Sequence, residues 1–510
     1  MAALNSSAAV AVVGAGAMGA GIAQVAAQAG HPVWLFDLKP GAAQQAIEAM
    51  RETFAKLAAK GRMSADAASA AGARVQVAQG LADFAHAALV VEAIVERLDV
   101  KRSLFADLEA LVGDDCVLAT NTSSISVTAI AAGLRRPGRV LGMHFFNPAP
   151  LMALVEVVSG LATDPALAQA IHDTALSWGK SPVHTKSTPG FIVNRVARPY
   201  YGEGLRLLGE QAGDAATIDA VMREAGGFRM GPFELMDLIG HDVNYAVSRS
   251  VFDAYYGDPR FAPSLIQLEL VNAGHLGRKS GRGFYDYAAG AVKPQPATEA
   301  AATLAVPISV STASAFGAAL AARLQSAGVA CERRDAGPLL QAGTARVEIT
   351  DGRSATQRGA DAAHGGHADL VVVDLVLDAA NAKRIAIAAS ERCSATALTA
   401  ATAALQAAGY AVTRFADVPG LAVMRTVAML ANEAADAVYQ GVCDAAAADI
   451  AMCKGVNYPR GPLSWADAIG LPALLTVLDN LARSYGEPRY RASPLLRRLV
   501  AAGRGFHAAN

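Results

Sequence analysis

Short apolar runs alternate with helical patterns along the first part of the chain. The apolar runs predict β-strands at residues 9–13, 32–36, 89–95, 117–120 and 182–186. Between them, alanine- and leucine-rich segments predict helices at residues 41–71, with a break near Gly61, and at residues 164–178. Strands that alternate with helices are typical of a parallel sheet covered on both faces. The pattern therefore predicts a doubly wound α/β domain that ends near Thr188-Pro189-Gly190.

The pattern becomes wholly helical after Gly190. It predicts helices over residues 191–211 and 214–225 and a third that begins at Pro232, since proline is well suited to the first turn of a helix. We therefore expect an all-helical second domain.

An internal repeat places a second copy of this helical domain at residues 420–507. The matching positions, each 230 residues apart, are Gly179 and Gly409, Gly190 and Gly420, Gly231-Pro232 and Gly461-Pro462, and Gly240 and Gly470. Asn194 corresponds to Met424, and Ala501 falls where Lys279 would be. The copy has thus lost polar side chains while keeping its apolar spacing.

Residues between the two helical regions again alternate strand and helix. The predicted strands are residues 307–310, 345–349, 370–377, 384–389 and 411–415. This region contains neither of the two motifs described below, so it is predicted to be a degenerate nucleotide-fold-like domain without a cofactor, preceded by a linker at 292–303. The predicted domains are residues 1–188, 189–290, 300–419 and 420–510.

Composition narrows the class of protein. A chain of 510 residues is too long for one core, and 53% hydrophobic against 17% charged residues indicates a compact globular protein. A net charge of -1 gives no reason to expect nucleic acid or an anionic membrane as a partner. Five scattered cysteines argue for a reducing compartment and against a metal site. With no signal peptide or membrane span in the sequence, we expect a cytoplasmic enzyme.

A glycine-rich loop after the first strand predicts dinucleotide binding. In Gly14-Ala15-Gly16-Ala17-Met18-Gly19, the glycines permit a tight turn, close approach of a pyrophosphate and close packing of the next helix. Asp37, at the end of the second strand, is placed to accept hydrogen bonds from a ribose. Its charge would repel a 2'-phosphate, so the predicted cofactor is NAD and not NADP.

Residues 140–158 hold the candidate acid-base chemistry. Glu156 stands in an apolar run, where a carboxylate needs a partner, and His144 is the nearest candidate. Such a pair can remove a hydroxyl proton, although a purely structural role is equally open on these residues alone. Residues 121–124, Asn-Thr-Ser-Ser, end another strand and could either cap a helix or bind a substrate.

Together these motifs resemble the L-3-hydroxyacyl-CoA dehydrogenase family, over residues 8–287. The resemblance rests on the glycine loop, Asp37, residues 121–124, His144-Phe145-Phe146-Asn147-Pro148 with Glu156, and residues 189–195 and 277–285. The resemblance implies a catalytic base at His144, its partner at Glu156, and hydrogen bonds from Ser123 and Asn194 to the reacting oxygen. The cofactor-site residues that it implies are Asp37, Glu96, Lys101, Ser123, Asn147 and Lys279, and Lys60 is implied to contact CoA.

The family resemblance implies a Rossmann-like NAD domain, an all-helical domain and an active site in the cleft between them. The implied reaction is NAD-dependent oxidation of a (3S)-3-hydroxyacyl-CoA to the 3-oxoacyl-CoA. The long form with a duplicated C-terminal half resembles members that act on 3-hydroxyadipyl-CoA in bacterial phenylacetate degradation. The alternatives are 3-hydroxybutyryl-CoA, a free 3-hydroxy acid or hydroxylated sugar acid, and a nucleotide-sensing or scaffold protein without turnover.

The repeat also predicts how the chain is assembled. Shorter members of the family dimerise through their single helical domain, which implies an apolar face that is unfavourable to expose. We therefore expect residues 420–507 to pack against residues 190–287 and to cover that face. Any homo-oligomer would then use another surface, and residues 1–290 alone would dimerise or aggregate.

Overall fold

The computed structural model describes residues 3–361 and 366–508. They form two compact units: one holds the chain up to Arg195 together with Gln440–Asn457, and the other holds Val196–Tyr439 and the chain from Tyr458 onward. The predicted domain limits at residues 1 and 510 lie outside the described residues. Among the described residues, no helix combines the length and apolar character needed to cross a bilayer.

The first unit is built on an eight-stranded sheet. Its strands are β1 (Val10–Val13), β2 (Val33–Phe36), β3 (Val75–Val77), β4 (Leu89–Glu92), β5 (Val117–Thr120), β6 (Val140–Phe145), β7 (Leu154–Ser159) and β8 (Ser181–Lys186). The helices between them are α1 (Ala17–Gln28), α2 (Ala42–Ala59), α3 (Ala65–Arg74), α4 (Leu98–Leu111), α5 (Val127–Ala131) and α6 (Pro165–Ser177). The strand order is β3-β2-β1-β4-β5-β6-β7-β8, and all neighbours are parallel except β6 and β7.

This doubly wound sheet confirms the predicted fold class, with local differences. The strand predicted over residues 89–95 ends at Glu92, because the Glu92 carboxylate accepts the N–H of Ile94 at 2.8 Å and turns the chain out of the sheet. The helix predicted over residues 41–71 is two helices, α2 and α3, separated at the predicted break, where Gly61 has a φ of 66°. The strands β3, β6 and β7 have no counterpart among the predicted strands.

The first helical region starts later than predicted. Its helices are α7 (Val193–Val196), α8 (Arg198–Gly209), α9 (Ala215–Glu224), α10 (Pro232–Ile239), α11 (His241–Ala254) and α12 (Leu265–Asn272). The single helix predicted over residues 191–211 is wrong, because Phe191 has a φ of 47° and Pro199 lacks the N–H that would continue the first turn. The chain therefore forms α7 and α8 in place of one helix.

A seven-stranded sheet follows in the second unit. Its strands are β9 (Ile308–Ser311), β10 (Glu332–Arg334), β11 (Leu340–Ala342), β12 (Ala345–Ile349), β13 (Leu370–Val373), β14 (Arg384–Ala389) and β15 (Ala411–Arg414). Its helices are α13 (Ala315–Ser326), α14 (Ala355–Gly359) and α15 (Ala395–Ala407). The order is β10-β9-β11-β12-β13-β14-β15. It repeats the order of the first sheet from β2 to β8, except that antiparallel β11 stands in the place of parallel β4, and this seven-stranded sheet has no counterpart of the edge strand β3.

The glycine loop of the first sheet is only partly kept in the second. A Cβ at Gly19 would lie 1.8 Å from the Gly14 carbonyl oxygen, and one at Gly317 would lie 1.8 Å from the Ser311 oxygen, so both positions need glycine for helix-to-strand packing. At the same offset, Thr312 replaces Gly14, and Ser314 stands in the place of Gly16. The second sheet has thus retained the glycine required for packing and lost the two that permit a phosphate to approach.

The second helical region closes the described chain. Its helices are α16 (Val423–Tyr439), α17 (Ala445–Gly455), α18 (Pro462–Ile469), α19 (Leu471–Tyr485) and α20 (Pro494–Ala502). Within the first unit, α17 packs on β7 and β8, where a Cβ on Gly455 would lie 2.6 Å from the Leu154 side chain. Within the second unit, α16 packs on α8.

Reciprocal ion pairs join the two helical copies inside the second unit. Glu203 of α8 accepts hydrogen bonds from Arg425 and from Arg489, each at 2.7 Å at its shortest. Glu433 of α16, which is 230 residues after Glu203, is paired with Arg260 at 3.2 Å. A glutamate of each helical copy is thus paired with an arginine of the other copy. A two-fold interface between identical subunits produces the same reciprocal pairing. The predicted packing of the copies within one chain is confirmed for these helices.

Candidate active site

The glycine loop between β1 and α1 has the shape that a dinucleotide phosphate requires. Gly14 has a φ of 102°, and a Cβ there would lie 2.5 Å from the Ala93 carbonyl oxygen, so only glycine fits. At Gly16, which precedes the first turn of α1, a Cβ would meet nothing within 4 Å. The loop therefore leaves open space at a helix N-terminus, which fits the pyrophosphate of NAD.

Asp37 follows β2 and is oriented by backbone donors. Its carboxylate accepts the N–H of Ala15 at 2.7 Å and that of Lys39 at 2.8 Å. The half-buried carboxylate is thereby directed toward the glycine loop, where the resemblance predicts the ribose.

Replacing Asp37 with alanine is expected to weaken NAD binding and to narrow the preference for NAD over NADP. The change removes both an acceptor for the ribose hydroxyls and the charge that repels a 2'-phosphate. Michaelis constants for the two cofactors measure the effect, with the exposed Asp66→Ala as the matched control. If both constants stay at their wild-type values in Asp37→Ala, the carboxylate does not contact the ribose.

His144 and Glu156 form a buried pair across two neighbouring strands. They lie opposite each other in the antiparallel β6–β7 ladder, and His144 Nδ1 is 2.6 Å from Glu156 Oε2. With Nδ1 donating this bond, Nε2 is the basic nitrogen of the neutral ring. Nε2 has no hydrogen-bond partner in the part of the chain that the structure describes. The predicted base and its partner are thus brought together in the arrangement that proton abstraction needs.

Further contacts hold this pair in place. Glu156 Oε1 accepts the N–H groups of Ile192 at 3.0 Å and Val193 at 2.9 Å, at the start of α7. The rings of Phe146 and Phe191 lie 4.6 Å and 5.7 Å from the imidazole centroid. The carboxylate therefore has fixed donors on both oxygens, and the imidazole is fixed by aromatic packing.

Ser123 lies in a loop that is anchored by Glu96. One Glu96 carboxylate oxygen accepts the Thr122 hydroxyl at 2.6 Å and the Ser123 N–H at 3.0 Å. Burial alone would raise the pKa of Glu96, but the Thr122 bond and the Lys101 charge outweigh it, so the pKa is lowered. An ionised Glu96 thus fixes the loop at the carboxyl end of β5, the sheet edge where β6 presents His144.

Lys101 reaches this region from α4 as a buried ammonium. It contacts Glu92 at 2.5 Å and Glu96 at 3.2 Å, and Glu92 also accepts the Thr120 hydroxyl at 2.7 Å. A buried carboxylate and a buried ammonium each need such a partner. Lys101 therefore acts on the predicted site through Glu96.

The other predicted site residues occupy different positions. Asn194 lies half-buried on α7, and Asn147 is exposed after β6. Lys60 is exposed at the C-terminal end of α2. Lys279 belongs to the second unit, where its ammonium is 2.7 Å from an Asp242 oxygen.

Three further residues organise the site through hydrogen bonds that the sequence analysis did not predict, although residues 121–124 were candidates for a helix cap or a substrate contact. Thr122 and Glu92 take part in the hydrogen bonds described above, and the Asn121 side chain accepts the Phe145 N–H at 2.8 Å, which ties the Ser123 loop to β6. Polar residues at the ends of neighbouring parallel strands were the available signal, because these ends meet at one edge of a sheet.

In the second α/β domain, the positions that correspond to His144 and Glu156 have a different chemistry. Asp374 and Ala386 stand 230 residues after His144 and Glu156. The Asp374 carboxylate accepts three N–H groups at the start of α16, including those of Val423 at 2.7 Å and Met424 at 2.9 Å. This capping ends the strand predicted over residues 370–377 at Val373, and burial raises the pKa of Asp374 to about 6. The second α/β domain therefore has a helix cap, Asp374, where the first has the predicted base His144.

Known protein families match most of the chain. The NAD binding domain of 3-hydroxyacyl-CoA dehydrogenase matches residues 9–188, and its C-terminal domain matches residues 190–287 and 420–508. The reduced Rossmann-fold domain of 3-hydroxybutyryl-CoA dehydrogenase matches residues 347–419. The part of the second α/β domain from residue 347 onward is therefore a recurring domain and not a peculiarity of this chain.

Individual relatives share the double architecture or its first half. Escherichia coli 3-hydroxyadipyl-CoA dehydrogenase is 42% identical over 98% of both chains. A crystal structure of E. coli 3-hydroxybutyryl-CoA dehydrogenase, also 42% identical, has a TM-score of 0.88 and covers 98% of this chain and 100% of that one. The mitochondrial hydroxyacyl-coenzyme A dehydrogenase of Sus scrofa is 39% identical, over 54% of this chain and 90% of its own length.

Proposed function

Because the chain belongs to the 3-hydroxyacyl-CoA dehydrogenase family, it is an NAD-dependent oxidoreductase of 3-hydroxyacyl-CoA thioesters, and we propose that its substrate is (3S)-3-hydroxyadipyl-CoA. The likeness to the relative named for that substrate extends over 98% of both chains, which supports the proposal. The second candidate is 3-hydroxybutyryl-CoA, the substrate for which the similar E. coli crystal structure is named.

The observation that carries the reaction is the buried His144–Glu156 pair. In the proposed mechanism, His144 Nε2 takes the proton of the 3-hydroxyl group while Nδ1 remains bonded to Glu156. The glycine loop and Asp37 would hold NAD, which would supply the acceptor for the hydride that leaves C3. The imidazolium that results is stabilised by the Glu156 carboxylate 2.6 Å away. The backbone donors of Ile192 and Val193 hold that carboxylate in place.

Ser123 and Asn194 are proposed to hold the substrate oxygen as it changes from hydroxyl to carbonyl. Donors that are already oriented stabilise the charge that develops on this oxygen. Ser123 is on the loop that Glu96 fixes, and Asn194 is on the helix whose first N–H groups bind Glu156. Both therefore have a position set by groups other than the substrate.

The proposed cofactor contacts are divided among several elements. The glycine loop and α1 would hold the pyrophosphate, and Asp37 would bind the ribose. Glu96 and Lys101 would contact the cofactor at the edge of the site near Ser123. Asn147 and Lys279 are proposed as further cofactor contacts and Lys60 as a contact of CoA, on the family resemblance. We propose a cytoplasmic location, without nucleic acid or membrane partners.

A panel of 3-hydroxyacyl-CoA thioesters tests the substrate. The panel varies chain length and the terminal carboxylate, and NADH absorbance gives kcat/KM for each member. We expect the highest value for 3-hydroxyadipyl-CoA. A higher value for 3-hydroxybutyryl-CoA would select the second candidate, and equal activity on the free 3-hydroxy acid would remove CoA from the proposal.

A further inference from the structure

The second unit contains a cavity of about 310 Å³ between α8, the segment 260–267 and Arg489. Besides Arg489, its charged and polar lining side chains include Arg198, Arg206, Ser248, Arg260 and Gln267. We call it the Arg198 cavity. None of these residues has a role in the proposed reaction.

Arg198 differs from the other arginines that line this cavity. Arg206 is paired with Glu487, Arg260 with Glu433, and Arg489 with Glu203. No carboxylate lies within 4.0 Å of the Arg198 guanidinium anywhere in residues 3–361 or 366–508. Arg198 is therefore a buried cation that lacks an anionic partner in the described part of the chain.

The surroundings of Arg198 satisfy its guanidinium only in part. Nη1 donates to the Ser248 hydroxyl at 3.2 Å, and the guanidinium lies 4.8 Å from the centroid of the Tyr201 ring. Its Nε is buried without a hydrogen-bond partner among the described residues. The residue is 8% exposed, and burial lowers its pKa. Since an unpaired buried charge is strongly unfavourable, the fold does not account for this arginine.

The second helical copy shows that the same fold can do without Arg198 and Ser248. The residues 230 positions later are Ala428 and Leu478, both fully buried in an apolar core. Asn432 stands where Gly202 lines the cavity in the first copy, and its side chain bonds the Arg491 carbonyl and the Ser493 N–H. The second half of the chain, in which Asp374 stands in the place of His144, has thus also lost the equivalent of Arg198. This pattern links Arg198 to a ligand and not to folding.

We propose that the Arg198 cavity binds an aliphatic carboxylate, held by the Arg198 guanidinium together with the Ser248 hydroxyl. A carboxylate matches the planar donor set of an arginine, and it would supply the counter-charge that the described residues do not provide. Phe261, Leu265 and Ile266 also line the cavity and provide apolar surface for a carbon chain.

The carboxylate has two possible sources. One is the terminal carboxylate of a dicarboxylic acyl chain, a case that rests on the proposed function and makes Arg198 a residue that determines specificity. The other is a free dicarboxylate in solution, which would bind independently of the thioester.

The test compares wild type and Arg198→Met on two thioesters of equal chain length. 3-Hydroxyadipyl-CoA has the terminal carboxylate, and 3-hydroxyhexanoyl-CoA lacks it. For the acyl-chain source, Arg198→Met lowers kcat/KM for the first about 10- to 100-fold, the usual loss for a charge-assisted hydrogen bond, and leaves the second within about twofold. Arg249→Met, an exposed arginine on α11, is the matched control and changes neither value.

Calorimetric titration with free adipate, with hexanoate as reference, tests the second source. If the ligand is a free dicarboxylate, wild type binds adipate and Arg198→Met does not. The ratio of the kcat/KM values for the two thioesters is then the same in both proteins. If the ratio is constant and adipate binding is absent or equal in both proteins, the proposal is overturned. Should Arg198→Met not fold, Arg198→Lys and Ser248→Ala replace it, because both keep the site nearly isosteric. If wild type is inactive on both thioesters, the proposed function is refuted. The adipate titration would still show whether the Arg198 cavity binds a carboxylate.

Discussion

Replacing His144 with glutamine is expected to lower turnover about 10²- to 10⁴-fold, the usual loss for an acid-base group, and to leave NAD affinity within about twofold. Glutamine can keep a hydrogen bond to Glu156 but cannot accept the hydroxyl proton. The imidazole acts on the substrate, so cofactor binding is not affected. Steady-state NADH formation gives the turnover, and fluorescence titration gives the affinity.

His184→Gln is the matched control for this prediction. His184 lies on β8 of the same sheet, is exposed, and stacks on His172 at a centroid distance of 4.6 Å. We expect it to retain wild-type turnover. A His144→Gln enzyme with more than about half of the wild-type turnover would show that His144 is not the base.

Replacing Glu203 with glutamine is expected to destabilise the second unit by about 3–5 kcal/mol, the range for breaking a buried ion pair. Glu203 is fully buried and bonded to Arg425 and Arg489, so the variant leaves two buried guanidinium groups without their shared carboxylate. Urea unfolding monitored by circular dichroism measures the loss. The exposed Glu269→Gln, on α12 of the same unit, is the control and should change stability by less than about 0.5 kcal/mol.

The same variant has a predictable pH dependence. Burial alone would raise the pKa of Glu203, but the charges of Arg489 and Arg425 outweigh it and lower the pKa from 4.5 to about 2. A lowered pKa in the folded state stabilises the protein above pH 4.5, and this stabilisation is lost as the pH falls toward 2. The difference in unfolding free energy between wild type and Glu203→Gln should therefore narrow below pH 4.5. A difference that is constant down to pH 3 would contradict the role of this ion pair.

The second helical copy explains why these ion pairs are in one chain. Glu203 with Arg489 and Glu433 with Arg260 are equivalent contacts, as in a symmetric dimer, yet both belong to the second unit of a single chain. That this surface corresponds to the family's dimer face remains a prediction. Light scattering on residues 1–290 tests it: self-association supports the prediction, and a well-behaved monomer contradicts it.

Local sequence was sufficient for the parts of the site that a motif encodes. The glycine loop and Asp37 were predictable because the positions need particular backbone conformations and a particular charge. The His144–Glu156 pair was predictable because a carboxylate in an apolar strand requires a partner. His144 is paired with Glu156 because the two residues lie on adjacent antiparallel strands joined by a short connection.

Contacts between distant segments could not be read in the same way. Lys101 is one of many lysines on amphipathic helices, and only the fold places it between Glu92 and Glu96. Arg198 belongs to no motif, and its significance depends on the comparison with Ala428 and on the absence of a carboxylate within 4.0 Å among the residues that the structure describes. Some strand ends differ from the predicted ones because a side chain accepts a hydrogen bond from the backbone there, as Glu92 does at the end of β4.

The fate of the C3 hydrogen tests the central claim most directly. Wild-type enzyme is given NAD and 3-hydroxyadipyl-CoA deuterated at C3, and the mass of the reduced cofactor is measured. Oxidation at C3 predicts one deuterium in every NADH formed, and a rate at least about 100-fold lower with His144→Gln, within the range for loss of an acid-base group. Reduced cofactor without deuterium, or an equal rate in the variant, would contradict the account.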